Sequence, residues 1–218
     1  MKKITLLLVL ATSFGFAQAK SSGVVTLQPN MTAEFTLNNN TSTVTLVLTG
    51  PSDRWFGIGI GVSSGFGMSA GDVLVYTNVL TDRRFAGTGN PPMDTSQSWT
   101  VTSDNVNGAI RTVTMTRALT NTDTAGSDFQ MPYSTTNSFS IVGVRAPSAT
   151  ITIGSHGGGA SAGYATATFT TLGSEDFSLK SANLYPNPTK GLFTIDTKTE
   201  LSEINIYSHV GQFVKQFR

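Results

Sequence analysis

Thr43-Val44-Thr45-Leu46-Val47-Leu48 sets Val44, Leu46 and Leu48 on one side of an extended chain and Thr43, Thr45 and Val47 on the other. A period of two carried by branched residues is the mark of a half-buried strand. The same texture returns in Ile110-Arg111-Thr112-Val113-Thr114-Met115-Thr116-Arg117, in Ser138-Phe139-Ser140-Ile141-Val142-Gly143-Val144 and in Tyr164-Ala165-Thr166-Ala167-Thr168-Phe169. No segment sustains a helical period. Many short strands at short spacing predict an all-β chain, an antiparallel β-sandwich from about residue 23 to 172. Turn chemistry agrees: Asn38-Asn39-Asn40 predicts a tight connection and Asn107-Gly108 a hairpin. The stretch 87–98, with Pro91-Pro92 inside it, and the stretch 120–132 read as irregular loops, the places where binding residues concentrate.

The beginning of the chain reads as an export signal. Lys2 and Lys3 precede an apolar run from Ile4 to Leu10, and Ala17-Gln18-Ala19 has the small-x-small pattern of a cleavage site. Residues 1–19 are thus expected to leave, and the mature chain to begin at Lys20. No stretch has the length of apolar residues that a membrane-spanning helix needs, so the expected destination is the cell surface or beyond, by way of the periplasm. The chain has no cysteine, which excludes iron–sulfur ligation, thiolate nucleophiles and covalently attached haem. Lys and Arg total 14 against 13 Asp and Glu, and two of the lysines lie in the leader, so there is no basic stripe for nucleic acid. Lysine is missing between Ser21 and Leu172 and returns at Lys180, Lys190, Lys198 and Lys215. That shift divides the chain into a body, 20–172, a linker, 173–182, and a tail, 183–218.

Chemistry is concentrated in two glycine-rich runs. His156 sits in Ile153-Gly154-Ser155-His156-Gly157-Gly158-Gly159, and Met68 in Gly65-Phe66-Gly67-Met68-Ser69-Ala70-Gly71-Asp72. Imidazole and thioether form a standard axial pair for haem iron, and glycines on both sides let a flat macrocycle approach the backbone. The plainer reading makes His156 a polar loop residue and Met68 loop or core filler. His209, in the tail, reads as a solvated turn residue. No Ser-His-Asp set can be assembled, because His156 is the body's one histidine, and Glu34 is its one glutamate. The expectation is a protein without enzymatic turnover.

Two resemblances extend this reading. Tyr185-Pro186-Asn187-Pro188-Thr189-Lys190-Gly191 resembles the entry motif of the C-terminal sorting domain used for type IX secretion, and the likeness runs from Asn183 to Arg218. It implies the type IX machinery as a partner. Three short strands are expected there, and the sorting domain is expected to be partial, because such domains continue through further strands to a basic end. In the body, Arg54-Trp55-Phe56-Gly57-Ile58-Gly59-Ile60, then Met68 to Tyr76, Asp82-Arg83, Pro91-Pro92-Met93-Asp94, Thr116 to Thr120, Ile141 to Val144 and His156 follow in the order of the DOMON family. Its β-sandwich domains bind haem b or sugars.

In the haem branch, similar to the cytochrome domain of cellobiose dehydrogenase, a methionine four residues before an aspartate and a histidine near the last strand hold the iron. Met68 stands four before Asp72, and His156 precedes the strand at Tyr164 to Phe169. The resemblance implies an exported electron-transfer domain holding haem b non-covalently between Met68 and His156, with a redox protein or small electron donor as partner. The alternative is a carbohydrate-binding or adhesive module for a cell-surface glycan, stacking sugar on Trp55, Trp99, Tyr76 or Tyr133. Trp55 also fits a core position in its alternating strand. Asp123 and Asp128 lack the dense spacing of a calcium loop and read as turn caps. Asp72 reads as a turn residue or a partner of Arg54 or Arg83.

Overall fold

The computed structural model describes residues 18–62, 68–121, 128–158, 161–172, 182–185, 192, 194–197, 203–208 and 212–217. The chain divides into two compact units, Met1–Gly173 and Ser174–Arg218. Among the described residues no helix is long and apolar enough to cross a membrane.

Among its described residues the larger unit has twelve strands: β1 Ala19–Ser21, β2 Val25–Gln28, β3 Met31–Asn38, β4 Thr43–Pro51, β5 Phe56–Ile60, β6 Asp72–Tyr76, β7 Leu80–Arg84, β8 Thr100–Asn107, β9 Ile110–Ala118, β10 Ser138–Arg145, β11 Ala162–Thr168 and β12 Thr170–Thr171. They form two antiparallel sheets, as the alternation predicts. One runs β12-β1-β3-β4-β9-β8 with β2 added beside β3, and the other runs β11-β10-β5-β6-β7. The first sheet begins at Ala19, whose strand pairs with β3 and β12.

Alternating residues of β3, β4 and β9, among them Phe35, Leu37, Val44, Leu46, Leu48, Val113 and Met115, are fully buried against Phe56, Ile58, Ile60, Leu74 and Ile141 of the other sheet. Phe35 meets Phe139 edge to face at 5.1 Å. The hairpin between β8 and β9 turns one residue later than its sequence suggests. Asn107 already pairs with Ile110, leaving Gly108 and Ala109 as the loop, with Gly108 at φ +59°. A left-handed φ at the first loop residue suits the right-handed twist of the strands, and glycine takes it without strain.

The two sheets differ in how many faces they cover. In β3 and β4 buried residues alternate with half-exposed ones, whereas every residue of β5 and β6 is buried. A strand buried on both faces needs a second apolar layer. That layer is an independent cluster of Trp55, Val62, Val73, Val75, Phe85, Val142 and Ala146, with Met68, Val144, Ile153 and Ala162 packed against it. It lies on the side of the five-stranded sheet that faces away from the main core.

In the smaller unit β13 Ala182–Tyr185 pairs with β14 Thr194–Thr197, and β15 Ile204–Tyr207 with β16 Phe213–Phe217. Among the described residues four strands stand where three were expected, because the segment opening the tail also pairs, Leu184 opposite Ile195. His209 and Asp123 lie outside the described residues.

Candidate functional site

The second apolar layer starts in the sequence Phe56-Gly57-Ile58-Gly59-Ile60. Its large residues point into the main core, so the opposite face of β5 carries only Gly57 and Gly59. In the register Gly59 lies between Val73 of β6 and Val142 of β10, and Gly57 between Val75 and Val144. A row of hydrogens between two rows of valines makes a trough. A Cβ on Gly59 would come within 2.9 Å of both Phe85 and Val142, so the close approach requires glycine.

Loops from three parts of the chain wall the trough into a cavity of about 440 Å³. This lies within the usual size range of small-molecule sites. Val73, Val75, Val142 and Val144 form its floor, with Trp55 and Phe85 beside them; the segments 88–91 and 153–158 supply walls, and Met68 and His156 both line it. Trp55 is buried, while Tyr164 lines the cavity and leaves nearly half its surface to solvent.

Backbone hydrogen bonds hold the walls in place. Gly87 N–H donates to the Met68 carbonyl at 2.9 Å, and Phe85 N–H to the Gly71 carbonyl at 2.9 Å, which ties the methionine segment to the end of β7. Trp55 N–H donates to the Thr150 carbonyl at 2.8 Å and Ala146 N–H to the Trp55 carbonyl at 3.0 Å. The Arg54 guanidinium donates to the carbonyls of Ala146 and Pro147, anchoring the loop that leads to His156.

His156 Nδ1 lies 3.1 Å from the Gly158 carbonyl. A carbonyl only accepts, so Nδ1 is the donor here, which leaves Nε2 as the nitrogen turned to a metal. The turn that brings this carbonyl back to the ring passes through Gly157 at φ +78° and Gly158 at φ +86°. Side chains rarely adopt such values, which explains the glycines after the histidine.

The donor set therefore fits a haem: an apolar slot, a thioether and an oriented imidazole on its walls, and no cysteine for covalent attachment. The aromatics of the sugar reading are placed differently. Trp99 is buried, with the Arg117 guanidinium 4.9 Å from its ring centre, and Tyr76 is buried against Phe56. Lys20 covers the half-buried Tyr133 at 4.7 Å, and Trp55 belongs to the cavity wall.

Asp72 is neither a turn residue nor a partner of Arg54 or Arg83. Arg54 pairs with Asp53 at 2.7 Å, and Arg83 donates to Thr81 and to the Pro91 carbonyl. Asp72 opens β6 on its core-facing side and lies 3.5 Å from Arg117, which extends the inward row of Val113 and Met115 on β9. Burial pushes the Asp72 carboxyl up to about 7 although Arg117 opposes the shift. Burial likewise raises Asp82 to about 7, helped by the neighbouring charges of Asp72 and Asp128. Asp128 is buried too, and among the described residues its carboxylate accepts from Ser98 and Asn121. Sequence reading missed this assembly because its members come from β6, β7, β9 and a loop.

Residues 183–218 match the family model of the secretion system C-terminal sorting domain. A sorting domain marks a chain for secretion or the cell surface, and this protein carries one. No curated protein matches the chain in sequence. Among solved structures it is similar to the cytochrome domain of Myriococcum thermophilum cellobiose dehydrogenase, with 16% identity, 66% of this chain and 79% of that one covered, and a TM-score of 0.47. It is also similar to the cytochrome b domain of pyranose dehydrogenase from Coprinopsis cinerea, with 18% identity, 57% and 67% covered, and a TM-score of 0.43.

Proposed function

We propose that the body, 20–172, binds haem b non-covalently with Met68 and His156 as axial ligands and serves as an electron-transfer domain outside the cell, carried there by the tail at 183–218. One observation carries the reading: two residues from distant glycine-rich loops line a single apolar cavity, and the histidine's Nδ1 is already engaged. Haem b supplies a one-electron couple, and a Met/His pair leaves no coordination site for oxygen or substrate.

The chain's own residues do the rest. Val73, Val75, Val142, Val144 and Phe85 keep water from the slot, and a dry surround favours the less charged reduced state. The Gly158 carbonyl fixes the His156 ring and makes it a better donor. The hydrogen bond from Gly87 to the Met68 carbonyl anchors the backbone that carries the thioether. Tyr164, exposed at the cavity, marks the side from which a redox protein or small donor would approach.

The test is to titrate the purified full chain with haemin and record oxidised and dithionite-reduced spectra. A six-coordinate low-spin spectrum at one haem per chain is expected. It is lost in His156→Ala, and Met68→Leu turns it high-spin and lowers the potential. A spectrum matching free haemin, or one unchanged in both variants, overturns the proposal.

A further inference from the structure

Between the two sheets, on the face of the five-stranded sheet opposite the cavity, the carboxylates of Asp72, Asp82 and Asp128 converge. One oxygen from each can be chosen so that all three lie within 4.8 Å of one another. That is the separation of donors on opposite sides of a cation bound at about 2.3–2.6 Å. All three side chains are buried, Asp72 being 1% and Asp82 2% exposed.

How their oxygens are used is uneven. Asp72 Oδ2 accepts from Phe129 N–H at 3.0 Å and faces Arg117. Asp82 Oδ2 accepts from Ser98 N–H at 3.0 Å. Asp128 Oδ2 takes Ser98 Oγ at 2.6 Å, the Asn121 amide and, at 4.0 Å, Arg117. The second oxygen of every one, Oδ1, has no hydrogen-bond partner among the described residues. Three buried acceptors are thus left over in one cluster, beside the unpartnered Nε and Nη1 of Arg117, whereas buried polar groups are almost always satisfied.

Charge gives the same answer. Three carboxylates meet one guanidinium, Arg117, whose remaining neighbours are the Trp99 ring and the Phe129 carbonyl. With all three ionised, the cluster would carry two negative charges beyond what Arg117 balances, which one divalent cation matches. An all-oxygen donor set without histidine or sulfur selects a hard ion. Magnesium gives up its water shell reluctantly, and calcium tolerates irregular oxygen cages.

The geometry points to a structural calcium-class site formed by Asp72, Asp82 and Asp128, which ties the starts of β6 and the 128–131 segment to β7. It rests on none of the haem reading. In the test, chelator-stripped full-length protein is dialysed against calcium, its metal content is measured and its thermal unfolding is followed with and without chelator. Terbium serves as a second probe, because Trp99 is close enough to sensitise its emission.

One bound calcium per chain is expected, with a melting temperature raised by calcium and lowered again by chelator. Terbium emission should be displaced by calcium. In Asp82→Asn the bound ion is lost, while Asp104→Asn, a surface carboxylate paired with Arg111, retains it. Wild-type protein that holds no calcium after dialysis and melts identically in calcium and chelator overturns the site. Equal binding of the ion by Asp82→Asn and Asp104→Asn overturns it as well. Should Asp82→Asn fail to fold, the wild-type metal content and melting shift decide alone.

Discussion

Raising the pH of the metal-free protein should weaken its fold, with Asp72 and Asp82 both contributing, and the share of Asp72 can be worked out. In the folded chain burial lifts this carboxyl from an ordinary 3.8 to about 7; in the unfolded chain it returns to the ordinary value. Between those two points the folded state holds a proton that the unfolded state has released. Stability from this group is therefore fully present below about pH 4, falls as pH climbs, and is gone above the folded value near 7. At about 1.4 kcal/mol for each tenfold change in proton affinity, the loss is on the order of 4 kcal/mol.

Asp72→Asn keeps a side-chain oxygen for Phe129 N–H and removes the titration. The assay is urea unfolding of wild type and Asp72→Asn in chelator at half-unit steps from pH 4.5 to 8. The gap between the two should grow with pH in favour of the variant and level off above 7. A gap that is constant over this range, or that grows in favour of the wild type, refutes the picture of Asp72 as a carboxyl disfavoured in its charged form.

Other outcomes follow from the same geometry. Arg117→Met strips three buried carboxylates of their one guanidinium and should cost about 3–5 kcal/mol at pH 8 and less at pH 5, read by chemical denaturation. Gly59→Ala places a methyl against Phe85 and Val142 and should cost about 1–3 kcal/mol by overpacking, with haem affinity falling as the trough narrows. Ile141 and Val142 are neighbours on opposite faces of β10. Ile141→Ala should lose about 2–5 kcal/mol yet still take up haemin, whereas Val142→Phe should fold and fail to take it up, in thermal unfolding and visible absorption.

Much of this protein was legible along the chain. Thr43 to Leu48 announces its own strand and its inward face, because alternation is a local property fixed by backbone geometry. The motif from Tyr185 to Gly191 likewise identifies the sorting tail by itself. Met68 and His156 could be singled out as candidate donors from their glycine-rich settings, and the glycines after His156 serve a particular bend.

Pairing in three dimensions decided the rest. Whether the outer face of β5 is bare or covered depends on Phe85, Val142 and the loop ends that reach it, and none of them is near Gly57 or Gly59 in sequence. That the thioether and imidazole share one cavity follows from the register that sets β5 between β6 and β10. Asp72, Asp82, Asp128 and Arg117 each look commonplace in their own segments. Their burial together is a product of two sheets closing on one another, and it is burial, absent from any single strand, that turns ordinary carboxylates into an unsatisfied cluster.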